Sequence, residues 1–147
     1  METITSYMQQ DHVVIDGFSA RAVQAAGARD WKALQSEGGE FLRRLRRHIE
    51  MEEDVLFPAF EQRTGMTAAG PSVQMRIEHT AMHPILTRME QAMQANDGEG
   101  FRQSTQSLLD ILQAHNVKEE QMMYPMLDDA VGQEAGALLA GVKAMTA

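Results

Sequence analysis

Slide this chain 67 positions along itself and fourteen residues meet identical partners, without a gap, between positions 8 and 65. Among them are Met8/Met75, His12/His79, Asp30/Asp97, His48/His115, Glu52/Glu119, Glu53/Glu120, Pro58/Pro125 and Gly65/Gly132. A repeat of this kind means one supersecondary unit built twice. Within each copy, apolar residues recur at three- and four-residue steps with few β-branched runs, which is the period of an amphipathic helix. Two helical hairpins related by a pseudo-twofold axis predict an all-α, up-down-up-down four-helix bundle, organised as a single domain over 1–147.

The helices can be placed from their caps and stripes. The first is expected over about 6–28, opened by a capping box of Ser6 with Gln9, with an inner stripe of Met8, His12, Ile15, Ser19 and Ala22. The second follows Asp30 as N-cap and runs to about 63, where Gly65 stops it; its stripe includes Leu34, Phe41, Leu45, His48, Glu52 and Val55. The third, over about 72–95, carries Met75, His79, Met82, Leu86 and Met89 inward, and the fourth, from Asp97 to about 130, carries Phe101, Leu108, Leu112, His115, Glu119 and Met122. TGMTAAGPS and NDGEG read as connecting turns. The tail is expected to form a short fifth helix through Ala135, Leu138, Leu139 and Val142. Gly17 and Pro84 both weaken a helix interior, so either a local distortion near them or simple tolerance by the helix is expected.

Composition narrows the chemistry. There is no cysteine, which excludes thiolate ligands, disulfides and iron–sulfur clusters, so a metal would have to be held by nitrogen and oxygen. The net charge of -8 disfavours a nucleic-acid footprint, and the run Arg43, Arg44, Arg46, Arg47 reads as an ordinary solvated helix face. The 12 methionines fall mostly at helical spacing, which makes them core packing rather than sulfur ligands. No apolar run is long enough to cross a membrane, and METITSYMQQDH lacks the pattern of a secretory signal, so the expectation is a soluble, cytoplasmic protein.

The repeat carries a polar set into the predicted core. Asp11-His12 in the first helix matches Glu78-His79 in the third; His48-x3-Glu52-Glu53-x3-Phe57-Pro58 in the second matches His115-x3-Glu119-Glu120-x3-Tyr124-Pro125 in the fourth. A histidine and a glutamate four residues apart lie one turn apart on one helix face, here the apolar face. One such histidine is usually a satisfied core residue, and one H-x3-E is common by chance. Four inward histidines with two inward carboxylates are expensive to bury without strong partners, and a metal ion supplies them. The donors exceed what a four-coordinate site can use, which argues for two ions, and mixed imidazole and carboxylate ligation suits iron, with manganese or zinc less specific. His83, four residues after His79, adds a fifth imidazole on the same side; its repeat partner is Asp16, four residues after His12. One metal is therefore offered His79, His83 and His115, and the other His12 and His48 with Asp16 nearby as a possible further ligand or a hydrogen-bonding neighbour. The second has fewer nitrogen donors and room for a small ligand.

These motifs resemble the hemerythrin family, in its HHE cation-binding branch, over about residues 6–130. The resemblance implies a non-haem centre of two iron ions joined by an oxo or hydroxo bridge. It implies His12, His48, His79, His83 and His115 as terminal ligands and Glu52 and Glu119 as bridges, with dioxygen or nitric oxide as the small ligand. The oxygen carriers proper have an H-x4-D pattern on the last helix, where this chain has Glu120 and the alternative Glu119. That departure points to the broader group that senses gases, handles iron or repairs iron–sulfur centres. Three functions follow as expectations: reversible gas binding, a di-iron enzyme acting on peroxide or oxygen, and iron sensing or storage. The histidine-rich set argues against a ferritin-like oxidase, which favours Glu-x-x-His ligation.

Overall fold

In the computed structural model, which describes residues 2–145, four long helical rods run up, down, up and down, as the repeat predicts. Helix α1 is Ile4–Gly27. The second rod is α2 (Trp31–Met51), a wide turn over Glu52–Leu56 and α3 (Phe57–Thr64). Helix α4 is Pro71–Gln94. The fourth rod repeats the second: α5 (Gly98–Lys118), a wide turn over Glu119–Met123 and α6 (Tyr124–Val131). A short 3-10 turn leads to α7, Ala135–Ala144, the fifth helix expected from the tail, which buries Leu139 and Val142. Thr146 and Ala147 lie outside the described residues.

The predicted punctuation holds at most ends. The side chains of Asp30 and Asp97 accept from the N–H groups of Ala33 and Gly100, capping α2 and α5 in the same way. Gly65 ends α3 in the left-handed conformation, φ 74°. The first cap differs from the expected one: the capping box is Thr3 with Ser6, not Ser6 with Gln9, because the helix starts one turn earlier. Asp128 of α6 secures that start, accepting from the N–H groups of Ile4 and Thr5, both at 3.0 Å.

Neither Gly17 nor Pro84 interrupts its helix. The distortion falls instead at the two wide turns, which occupy equivalent places in the repeat. There Phe57 N–H reaches Glu52 C=O, and Tyr124 N–H reaches Glu119 C=O, five residues back rather than four. Pro58 and Pro125 follow immediately. A proline inside a helix has no N–H to offer and presses on the carbonyl four residues back. Widening the preceding turn by one residue absorbs both effects and lets the helix continue.

The core lies in two apolar clusters. One contains Ile15, Leu34, Phe41, Leu45, Leu86 and Leu108; the other contains Met8, Met51, Phe60, Met75, Leu127 and Val142. Between them each rod carries a polar residue inward: His12 between Met8 and Ile15, His48 between Leu45 and Met51, and His79 between Met75 and Met82, with His115 following Leu112. The bundle is thus a polar layer held between two hydrophobic ones.

Candidate metal centre

The structure brings six of the seven predicted donors into that layer. His12, His48, His79 and His115 are at most 4% exposed, and Glu52 and Glu119 are fully buried. They form two overlapping groups whose ligand atoms could share an ion: Glu52, His79, His115 and Glu119, and His12, His48 and Glu119. Glu119 presents one oxygen to each group, Oε1 to His12 Nε2 and Oε2 to His115 Nε2, both at 3.1 Å. Glu52 does the same, with Oε1 3.0 Å from His79 Nε2 and Oε2 3.6 Å from His48 Nε2. Each carboxylate therefore spans both halves.

His83 and Asp16 stand apart from this set, and both are exposed. The reason is geometric. Each helical residue advances the face by 100°, so four residues overshoot a full turn by about 40°. The inner stripe lies on the other side of His12 and His79, through Ile15 and Met82, so a further step of four leads to the rim. For Asp16 this corrects the expectation that it faces inward beside a metal. It borders a surface groove between α1 and α5 that Glu120 also lines. Partial desolvation against the groove wall, with the nearby Glu120, raises its carboxyl's pKa on balance against the opposing pull of His12.

An outer ring of four carboxylates, given no role in the sequence reading, orients the histidines. Every Nδ1–H donates to one: His12 to Glu120, His48 to Asp11 and His79 to Glu53, each at 2.7 Å, and His115 to Glu78 at 2.8 Å. Asp11 with His48 and Glu78 with His115 bind within a hairpin; Glu53 with His79 and Glu120 with His12 tie one hairpin to the other. With Nδ1 engaged, every Nε2 is turned inward, the usual arrangement around a metal-ligating histidine. Tyr124 also escaped the sequence reading as a site residue. Its hydroxyl lies 2.6 Å from Glu52 Oε2 and 2.8 Å from Glu119 Oε1. The signal for both lay in the motif itself, in the Glu-Glu pairs, the acid before His12 and before His79, and the aromatic before Pro58 and before Pro125.

The electrostatics call for a cation. Glu52 Oε1, His79 Nε2 and Glu119 Oε2 are buried without a well-aligned hydrogen-bond partner, although Glu52 Oε1 and His79 Nε2 are close neighbours. Burial alone would lower the pKa of His48, but Glu52 and Asp11 raise it to about 10; burial likewise opposes His115, which Glu119 chiefly raises to about 9. Burial would raise the Glu52 carboxyl, yet contacts with Glu119, His48 and His79 hold it well below the usual range. The protein itself thus holds imidazolium protons where its carboxylates converge, and metal ions can take their place. Imidazole nitrogen and carboxylate oxygen, with no sulfur, fit iron.

A buried histidine and carboxylate layer shared by two duplicated hairpins defines a helical-bundle metal-binding protein. The profile of the hemerythrin HHE cation-binding domain matches residues 3–127, and the chain belongs to that family. It is similar to an uncharacterised hemerythrin-like protein of Schizosaccharomyces pombe, 30% identical over 107 residues, which are 73% of this chain and 52% of that protein. The chain thus spans about half the length of that curated relative. No solved structure matches it.

Proposed function

We propose that this protein is a non-haem di-iron protein that binds dioxygen or nitric oxide, in storage, sensing or stress response. The single observation that carries the reading is the pair of buried carboxylates, Glu52 and Glu119, each presenting one oxygen to each pair of histidines. Two such carboxylates suit a bridged pair of ions, and the family resemblance adds an oxo or hydroxo bridge. An iron pair supplies, when bound, electrons and coordination positions for a diatomic gas. His12 and His48 would hold one ion; His79 and His115 would hold the other, joined by His83 turning in from the rim. The outer carboxylates fix each ring, and the apolar layers above and below keep water from the site.

None of the helices, among the described residues, is long and apolar enough to cross a membrane. The acidic net charge disfavours a nucleic-acid partner, and a cytoplasmic location is part of the proposed reading.

Metal analysis of iron-loaded protein should return two ions per chain. Anaerobic ferrous protein titrated with dioxygen should then show an absorption change that reverses on removing the gas. A single ion per chain would refute the paired site. Steady consumption of added peroxide without reversible binding would replace gas binding by the enzyme reading.

A further inference from the structure

Five residues after the inward carboxylate, the repeat places Phe57 in the first copy and Tyr124 in the second. Both rings are fully buried. Phe57 lies against His79, ring centroids 5.7 Å apart, and Tyr124 lies against His12 at 5.8 Å, so the rings occupy matching places in the two halves. The two copies differ there by one oxygen atom. That oxygen lies 2.6 Å from Glu52 Oε2, 2.8 Å from Glu119 Oε1, 3.2 Å from His48 Nε2 and 3.3 Å from His12 Nε2.

A phenol has one hydrogen to donate and two places to accept, so four polar neighbours exceed its ordinary needs. The neighbours are also of a particular kind. Each is an atom that the site turns towards a metal. Adjacent donors around one octahedral ion, with bonds of about 2.1 Å, stand roughly 3 Å apart. The separations around the Tyr124 oxygen match that spacing, as does the 3.1 Å between His12 Nε2 and Glu119 Oε1. Among the described residues no such hydroxyl faces His79 and His115, where Phe57 offers only a ring.

We propose that the Tyr124 oxygen is a protein donor to the metal held by His12 and His48, closing the position those two histidines leave free. The proposal rests on the paired-metal reading above. It reverses the simplest expectation from histidine counting, which left that metal the more open of the two. When a ferric ion is taken up, the phenol oxygen forms the bond and its proton leaves to solvent. A hard, anionic oxygen at this place favours the ferric state and makes an incoming small ligand compete with a side chain. Tyr124 is thus a specificity-determining residue for what reaches the metal.

The test uses the full chain, loaded anaerobically with ferrous iron and oxidised with ferricyanide. The parent should show a phenolate-to-iron charge-transfer band in the visible and tyrosinate modes in its resonance Raman spectrum. Tyr124→Phe keeps the ring and its packing; at equal iron content it should lose both signals and bind added azide about tenfold more tightly. A parent with two irons, no tyrosinate modes and the same azide affinity as Tyr124→Phe would overturn the proposal and leave the paired-metal reading standing. A parent with fewer than two irons would overturn both. Should the variant lose iron or fold poorly, the parent's Raman spectrum decides alone.

Discussion

The His79/His115 half and the His12/His48 half are copies of one design, and three of the repeat-related places where they differ beside the histidines set them apart. Where one half has Arg76, His83 and Phe57, the other has Gln9, Asp16 and Tyr124. Arg76 donates to Glu53 at 2.7 Å, so the carboxylate behind His79 is pinned by a cation; Gln9 donates to Glu120 at 3.2 Å, so the one behind His12 is held by an amide. His83 is a nitrogen donor at the rim of one half; Asp16 is an acid at the rim of the other. On the paired-metal proposal, the duplicated residues build a place for two cations, and the unduplicated ones make the two places chemically unlike. Function in such a protein is written where the copies disagree.

The broadest way to test this comparison is to remove the metal from both halves at once. At a hundredfold excess over Kd, bound metal stabilises the fold by about 2.7 kcal/mol per site, and each kcal/mol moves the melting temperature by roughly 2–4 °C at this size. Loaded and metal-free proteins should therefore melt several degrees apart. The metal-free form should also depend on pH in a definite direction. His48 and His115 have folded pKa values raised to about 10 and about 9, above the ordinary value near 6.5. Their contribution is fully present below about pH 6.5 and is lost as pH rises through 9 and 10. Metal displaces those protons, so its binding should tighten over the same range and release protons. Identical melts of the two forms, or a metal-free form that gains stability from pH 7 to 10, would contradict the burial of the donors.

A sharper cut separates the halves. Glu53→Gln unpins His79, and Glu120→Gln unpins His12. Each should lower metal affinity by about 10- to 100-fold, read by chelator competition. The loss should be larger for Glu53→Gln, because it also takes a carboxylate from Arg76, which keeps only Glu61. Equal, negligible losses would mean that the outer carboxylates are ordinary core ion pairs.

How much of this could be read in advance follows from what a helical period encodes. Periodicity reports which face of a rod is buried. It therefore placed His12, His48, Glu52, His79, His115 and Glu119 inward, and the caps Asp30 and Asp97 and the stop at Gly65 set the rods' ends. It does not report what lies across the bundle. Asp11 meets His48, and Glu120 meets His12, only once the rods are packed. The wide turns were hidden for a related reason: Pro58 and Pro125 advertise a local problem, and the neighbouring packing chooses between a kink and a wider turn. Asp16 was misjudged because a four-residue step is close to a full turn without being one.

That step leaves the finest difference between the halves, at the rim. His83→Ala and Asp16→Asn alter repeat-related positions, both exposed and both one turn beyond an inward histidine. Their chemistry predicts opposite results. The His83 imidazole can add a neutral nitrogen donor when a cation sits at His79 and His115, so its loss should weaken metal binding in that half; unchanged content under chelator challenge would remove it from the ligand set. Asp16 lines the groove between α1 and α5, where Glu120 is a like-charged neighbour, and its raised pKa means that its charged form is disfavoured there. Asparagine keeps the shape and relieves that repulsion. Because the side chain is exposed, the gain should stay within about 0.5 kcal/mol at neutral pH, with metal content unchanged. A large loss of metal in Asp16→Asn would mean that this aspartate turns inward on loading and that the two rims are more alike than their residues.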